Sequence, residues 1–116
     1  MKWQVSTLNS EVDDELAVLD VDLRAKFVRI SELIEMFGPN EVHEPHVKPI
    51  HGMGFALWEM RMSGRAGIAR AFYVTQLGLR VVVLHAFIKK TDKTPPKALR
   101  MAKKRYEALL ASTPTT

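Results

Sequence analysis

Three short segments in the middle of the chain constrain its fold more than anything else in it. The run Leu57-Trp58-Glu59-Met60-Arg61-Met62 alternates apolar and polar residues from Trp58 onward, the two-residue period of a half-buried strand. Ser63-Gly64-Arg65-Ala66-Gly67 supplies turn residues. Ile68 to Thr75 then reads as a second strand, Gln76-Leu77-Gly78 as a second turn, and Leu79 to Lys90 as a third, nearly continuous apolar strand. Strands joined by turns this short pair antiparallel, so residues 57–90 predict a meander.

The flanks supply helices. Trp3 to Thr7 reads as a short first strand, after which the Ser10 hydroxyl is placed to cap a helix by accepting the Asp13 N–H. Val12, Leu16 and Leu19 give that helix one apolar side. A second helix starts at Asp20 or Asp22, with Leu23, Phe27, Ile30, Ile34 and Phe37 recurring at spacings of four and three, and Gly38-Pro39-Asn40 stops it. Residues 38–56, with Pro45, Pro49, Gly52 and Gly54, read as an irregular loop. Thr94-Pro95-Pro96 opens a last helix running to about Ala111, and 113–116 reads as a disordered tail. The order is β-α-α-β-β-β-α in one domain over residues 1–112. The fold class expected is α+β: a two-layer sandwich, its antiparallel meander covered on one face by the helical pair.

Charge divides the chain in two. Residues 1–47 carry ten acids against four Lys or Arg, whereas residues 48–116 carry thirteen Lys or Arg against three acids. Such a split points to a polyanion on one surface and a different partner on the other. There is no cysteine, so disulfides and thiolate metal sites are excluded. The polar start and acidic residues 9–15 give no signal peptide, and no apolar run reaches the ~18 residues of a membrane helix. A cytoplasmic protein without membrane contact is expected.

Alternation also sorts the basic side chains. Trp58, Met60 and Met62 share the side that goes under the helices; Glu59 and Arg61 share the other. Arg70 is in phase with Phe72. On the third strand His85, Phe87 and Lys89 are in phase, with Arg80, Leu84, Ile88 and Lys90 opposite. Arg61, Arg70 and either Lys89 or Lys90 therefore converge on the uncovered face, where arginine forks and a lysine point charge suit phosphate. Lys93, Lys97, Arg100 and Lys104 extend a basic stripe that runs from Lys89 to Arg105, as a nucleic-acid backbone requires. A solvated lysine-rich helix would look the same. His85 reads first as a core histidine and second as an acid or base in reserve. His43, Glu44, His46 and His51 lack any spacing that fixes ligand geometry, so no metal or cofactor is expected.

The segments Leu57-Trp58-Glu59-Met60-Arg61, Arg70-Ala71-Phe72-Tyr73 and Leu84-His85-Ala86-Phe87-Ile88-Lys89-Lys90-Thr91-Asp92-Lys93-Thr94-Pro95 resemble the HigB-like, phage-derived branch of the RelE toxin superfamily. Ala102-Lys103-Lys104-Arg105-Tyr106 and Val47-Lys48-Pro49-Ile50 fit as well, so the resemblance covers residues 47–110. It implies a RelE-like fold and ribonuclease activity on ribosome-bound mRNA. It also implies a helix-turn-helix antitoxin, through which alone operator DNA is met. Arg61, Arg70, Lys89 and Lys90 match the family's basic positions, with Lys48 a lesser one. Some relatives use a tyrosine or histidine near the C-terminus as acid or base; here Tyr106 falls inside a helix. The expected reaction is attack of the RNA 2′-hydroxyl on its own phosphate, held by Arg61 and Arg70, with Lys89 or Lys90 as base. The alternatives are a non-enzymatic nucleic-acid-binding phage accessory or regulatory protein, and a scaffold that binds a partner through the acidic helices.

Overall fold

The computed structural model describes residues 2–65 and 67–112; the tail expected at 113–116 lies outside the described residues. In chain order the elements are β1 (Gln4–Thr7), α1 (Ser10–Ala17), α2 (Val21–Phe37), a 3-10 turn (Pro39–Glu41), β2 (Val47–Ile50), β3 (Leu57–Gly64), β4 (Gly67–Gln76), β5 (Arg80–Lys89) and α3 (Pro96–Ser112). The α+β class and the helical pair on one face of the sheet are as expected. Asn9, not Ser10, caps α1: its side-chain oxygen accepts the Val12 N–H at 3.1 Å. Helix α2 stops at Gly38, whose φ of +89° a side chain would strain. No helix among the described residues is long and apolar enough to cross a membrane.

The sheet has five strands in the order β1-β5-β4-β3-β2. Two of its pairings extend the meander. Residues 47–50, read from the sequence as loop, form β2 and pair antiparallel with β3 from Val47↔Met60 to Ile50↔Leu57. Pro49 hid this strand; it is tolerated because β2 is an edge, where a missing N–H costs little. Strand β1 pairs parallel with the first half of β5, from Gln4↔Arg80 to Thr7↔Val83.

One face buries Met60, Met62, Ala69, Ala71, Tyr73, Val81 and Val83 against Val12, Leu23, Ile30 and Ile34 of the helical pair. The other face was expected to be open, but α3 covers one end of it. There Ala98, Ala102 and Leu109 pack on Leu57, Phe72, Val74, Val82 and Leu84. The uncovered remainder holds the arginines.

A bulge decides what that remainder presents. Tyr73 pairs with Val83, yet Phe72 pairs with His85, so β5 carries one extra residue at Leu84. Leu84 and His85 both turn toward the α3 side, which corrects the simple alternation that set Arg80 and Leu84 against His85. From there on His85, Phe87 and Lys89 share a face with Phe72, Arg70 and Ile68.

The β3–β4 turn is tied to α2. Asp22 accepts the Arg65 N–H at 2.7 Å with one carboxylate oxygen and the Leu23 N–H at 2.9 Å with the other. Its carboxylate occupies the space a Cβ at position 64 would need, and glycine there leaves it room.

Candidate functional site

Strand register lays the open face out in rows. His46 gives its carbonyl to the Arg61 N–H (2.8 Å), and Arg61, Arg70 and Phe87 follow across β3, β4 and β5. Behind this row lie Lys48, Glu59, Phe72 and His85. In front of it lie Ser63, Ile68 and Lys89. Two arginines thus stand directly opposite each other on neighbouring strands. A cleft of about 270 Å³ opens in front of them, lined by Pro45, Arg61, Met62, Ser63, Ile68 and Arg70.

Arg70 is almost fully buried, at 5% exposure, and its Nη1 donates to the Ala69 carbonyl at 2.9 Å. Arg61 is half-buried. Glu59, at 3% exposure, places Oε1 3.7 Å from Arg70 Nε and 3.8 Å from Arg61 Nε. Burial lowers the tendency of the Arg70 guanidinium to hold its proton; Glu59 opposes that fall and Arg61 adds to it. An arginine stays charged regardless, so the cleft keeps two fixed positive forks.

Lys89 joins this face through the bulge, whereas Lys90 lies one residue past the strand and out of phase with it. Lys48 is the register partner of Glu59 on the same face. Lys93 is exposed in the loop before α3, and Lys97, Arg100 and Lys104 line the outer side of α3. The structure therefore brings Arg61 and Arg70 together at the cleft, sets Lys89 on the same face as the register partner of the cleft residue Ile68, and leaves the helical cations exposed on α3 and its approach. Tyr106 stacks on Phe55 with ring centroids 3.9 Å apart, which engages it in packing.

His85 and Arg105 serve the sheet edge. Beyond Val83, no strand among the described residues lies beside β5 on the β1 side, and side chains from both flanking layers take that role. Glu15 Oε1, from α1, accepts the Ala86 N–H at 3.1 Å, faces His85 Nδ1 at 2.9 Å and accepts from Arg105 Nη1 at 2.9 Å. Arg105, reaching from α3, also donates to the Leu84 carbonyl at 2.9 Å and pairs with Glu11 at 3.1 Å. The sequence makes position 105 one more cation of the basic stripe, but in the structure it is 6% exposed and faces the sheet. Burial raises the Glu15 carboxyl, but Arg105, the Ala86 N–H and His85 outweigh it and hold the group below its ordinary value of 4.5.

A stability consequence follows from that depressed value. The contribution of ionised Glu15 is complete above pH 4.5 and is lost as the pH falls through the lower folded-state value. The gap in melting temperature between wild type and Glu15→Gln is expected to be widest near neutrality and to narrow on acidification. A gap that stays constant across the acid range would contradict this.

Among the described residues no three His, Asp or Glu side chains gather as a metal ion would require. A mixed sheet with a helical pair packed on one face makes this an α+β protein whose architecture is compatible with a RelE-like fold. Residues 14–107 match the family described as Phage derived protein Gp49-like (DUF891), and the chain belongs to that family. The family falls within the RelE/HigB-like toxin group, consistent at a coarse level with the toxin of a toxin–antitoxin pair. No curated protein matched the sequence.

Proposed function

We propose that this chain is a HigB-branch toxin that acts in the cytoplasm as an endoribonuclease, cutting mRNA on the ribosome and stopping translation. The observation that carries the reading is the cross-strand pair Arg61 and Arg70 at the mouth of one cleft, with Lys89 on the same face. Two guanidiniums side by side suit a phosphodiester and the extra negative charge its phosphorane acquires. The nucleophile is the substrate's own 2′-hydroxyl, so the reaction needs no cofactor. The O2′ proton passes to a base, the O2′–P bond forms and the P–O5′ bond breaks. A proton returned to O5′ leaves a 2′,3′-cyclic phosphate and a 5′-hydroxyl. Lys89 is the side chain placed to serve as base or to neutralise charge. The exposed cations of α3 and its approach, Lys93, Lys97, Arg100 and Lys104, guide the RNA backbone.

The acidic first half carries the other partner. Helices α1 and α2 suit a neutralising antitoxin of the helix-turn-helix type, and operator DNA is reached only through it. Inducible expression with and without the neighbouring gene, followed by mapping of mRNA ends, tests the reading. Growth arrest with new 5′-hydroxyl ends, relieved by Arg61→Ala or Lys89→Ala, is expected. Arrest without new ends would instead support a nucleic-acid-binding protein that cuts nothing.

A further inference from the structure

Like charges placed directly opposite on neighbouring strands destabilise a sheet, and Arg61 faces Arg70 in that relation. What lies behind them accounts for it. Glu59 occupies the next row of the same face, with one carboxylate oxygen close to both Nε atoms. Its other oxygen, Oε2, is buried and has no hydrogen-bond partner among the described residues, and the same holds for Arg61 Nε and Arg70 Nε. A buried polar group left unpaired needs a reason, and here three stand together. Glu59 is not among the residues lining the cleft, which lies on the far side of the arginine row. The arginines stand between a buried carboxylate behind and open space in front.

We propose that Glu59 is the positioning residue of this site. Its carboxylate draws the Nε edges of both guanidiniums backward, so that two cations share one row and present their forks to a phosphate in the cleft. The proposal rests on the ribonuclease reading above and assigns a residue to that same site. Glu59 touches no substrate; it acts through Arg61 and Arg70.

The charge arithmetic gives this role a signature that a merely structural one lacks. Glu59→Gln keeps the side chain's shape but removes its negative charge, so the site becomes more positive by one. Affinity for a 2′-deoxy RNA analogue that resists cleavage is expected to hold or tighten. Single-turnover cleavage of the corresponding RNA is expected to slow at least about tenfold, since the forks lose their alignment. Cleavage at the wild-type rate overturns the assignment. So does a parallel loss of cleavage, affinity and melting temperature, which marks a residue needed only for folding. If wild-type protein leaves RNA intact, free or on translating ribosomes, the ribonuclease reading itself fails. That outcome is distinct from a wild type and variant that cut alike. Should Glu59→Gln give no folded protein, Glu59→Asp carries the test. It keeps the charge but withdraws it by one methylene, and slower cleavage at unchanged affinity is expected; an unchanged rate overturns the role.

Discussion

Replacing Arg61 with alanine is expected to slow RNA cleavage about 100-fold while the protein stays folded. The side chain lines the cleft and is about one-third exposed, at 32%, so its removal opens no core cavity. On the proposed ribonuclease reading its loss would leave Arg70 alone against a phosphate that gains charge in the transition state, and one donor of that kind is worth roughly 3 kcal/mol of barrier. Arg61→Lys is expected to recover only part of the rate, because a point charge does not reproduce a planar fork. Arg70→Ala is expected to slow cleavage at least as much, but with a cost in stability, since it also strips buried Glu59 of a counter-charge. Single-turnover rates beside melting curves separate the two effects. An Arg61→Ala protein as fast as wild type would remove the cleft from consideration.

Alanine at Arg105 is expected to cost about 3 kcal/mol of folding stability, read as a lower denaturant midpoint at unchanged slope. This guanidinium is buried where two layers meet across an unpaired strand edge. It satisfies the Leu84 carbonyl and neutralises Glu15, which itself covers the Ala86 N–H. Removing it leaves a carbonyl and a partly buried carboxylate short of partners, and that desolvation dominates the loss. Glu11 belongs to the same cluster but its side chain is 74% exposed, so Glu11→Ala is expected to cost no more than about 0.5 kcal/mol. A small effect at Arg105 with a large one at Glu11 would invert this account.

The meander and the helical pair were legible because each element buries one face, and burial writes a period into the sequence. Arg61 and Arg70 were legible for the same reason, being out of phase with apolar neighbours. What escaped involves partners distant in the chain. The parallel pairing of β1 with β5 leaves no local mark, and Pro49 argued against β2 without regard to its place at an edge. The bulge at Leu84 reverses phase at the end of the apolar run Val81 to Leu84, where alternation has no polar residue to register the change; it is what selects Lys89 over Lys90. Asn9 displaced Ser10 as the cap because either side chain can bond an N–H two or three residues on. Arg105 does carry a local signal, since it falls in phase with Ala98, Ala102 and Leu109 on the buried stripe of α3. Glu59 was seen to share a side with Arg61. Its burial behind two arginines, at 3% exposure, arises only once β2, β4 and the elements around them are packed against β3.

The closure of the β5 edge joins segments that leave the ribosome far apart in time. Strand β1 waits for residues 80–83, and Glu15 waits for Ala86 and then for Arg105, 90 positions later. A nascent chain halted before α3 has neither its sheet margin sealed nor the cover over Phe72 and Leu84. Assembly is therefore a late event in translation, and fragments produced by interrupted synthesis lack the frame that sets Lys89 on the same face as the two arginines.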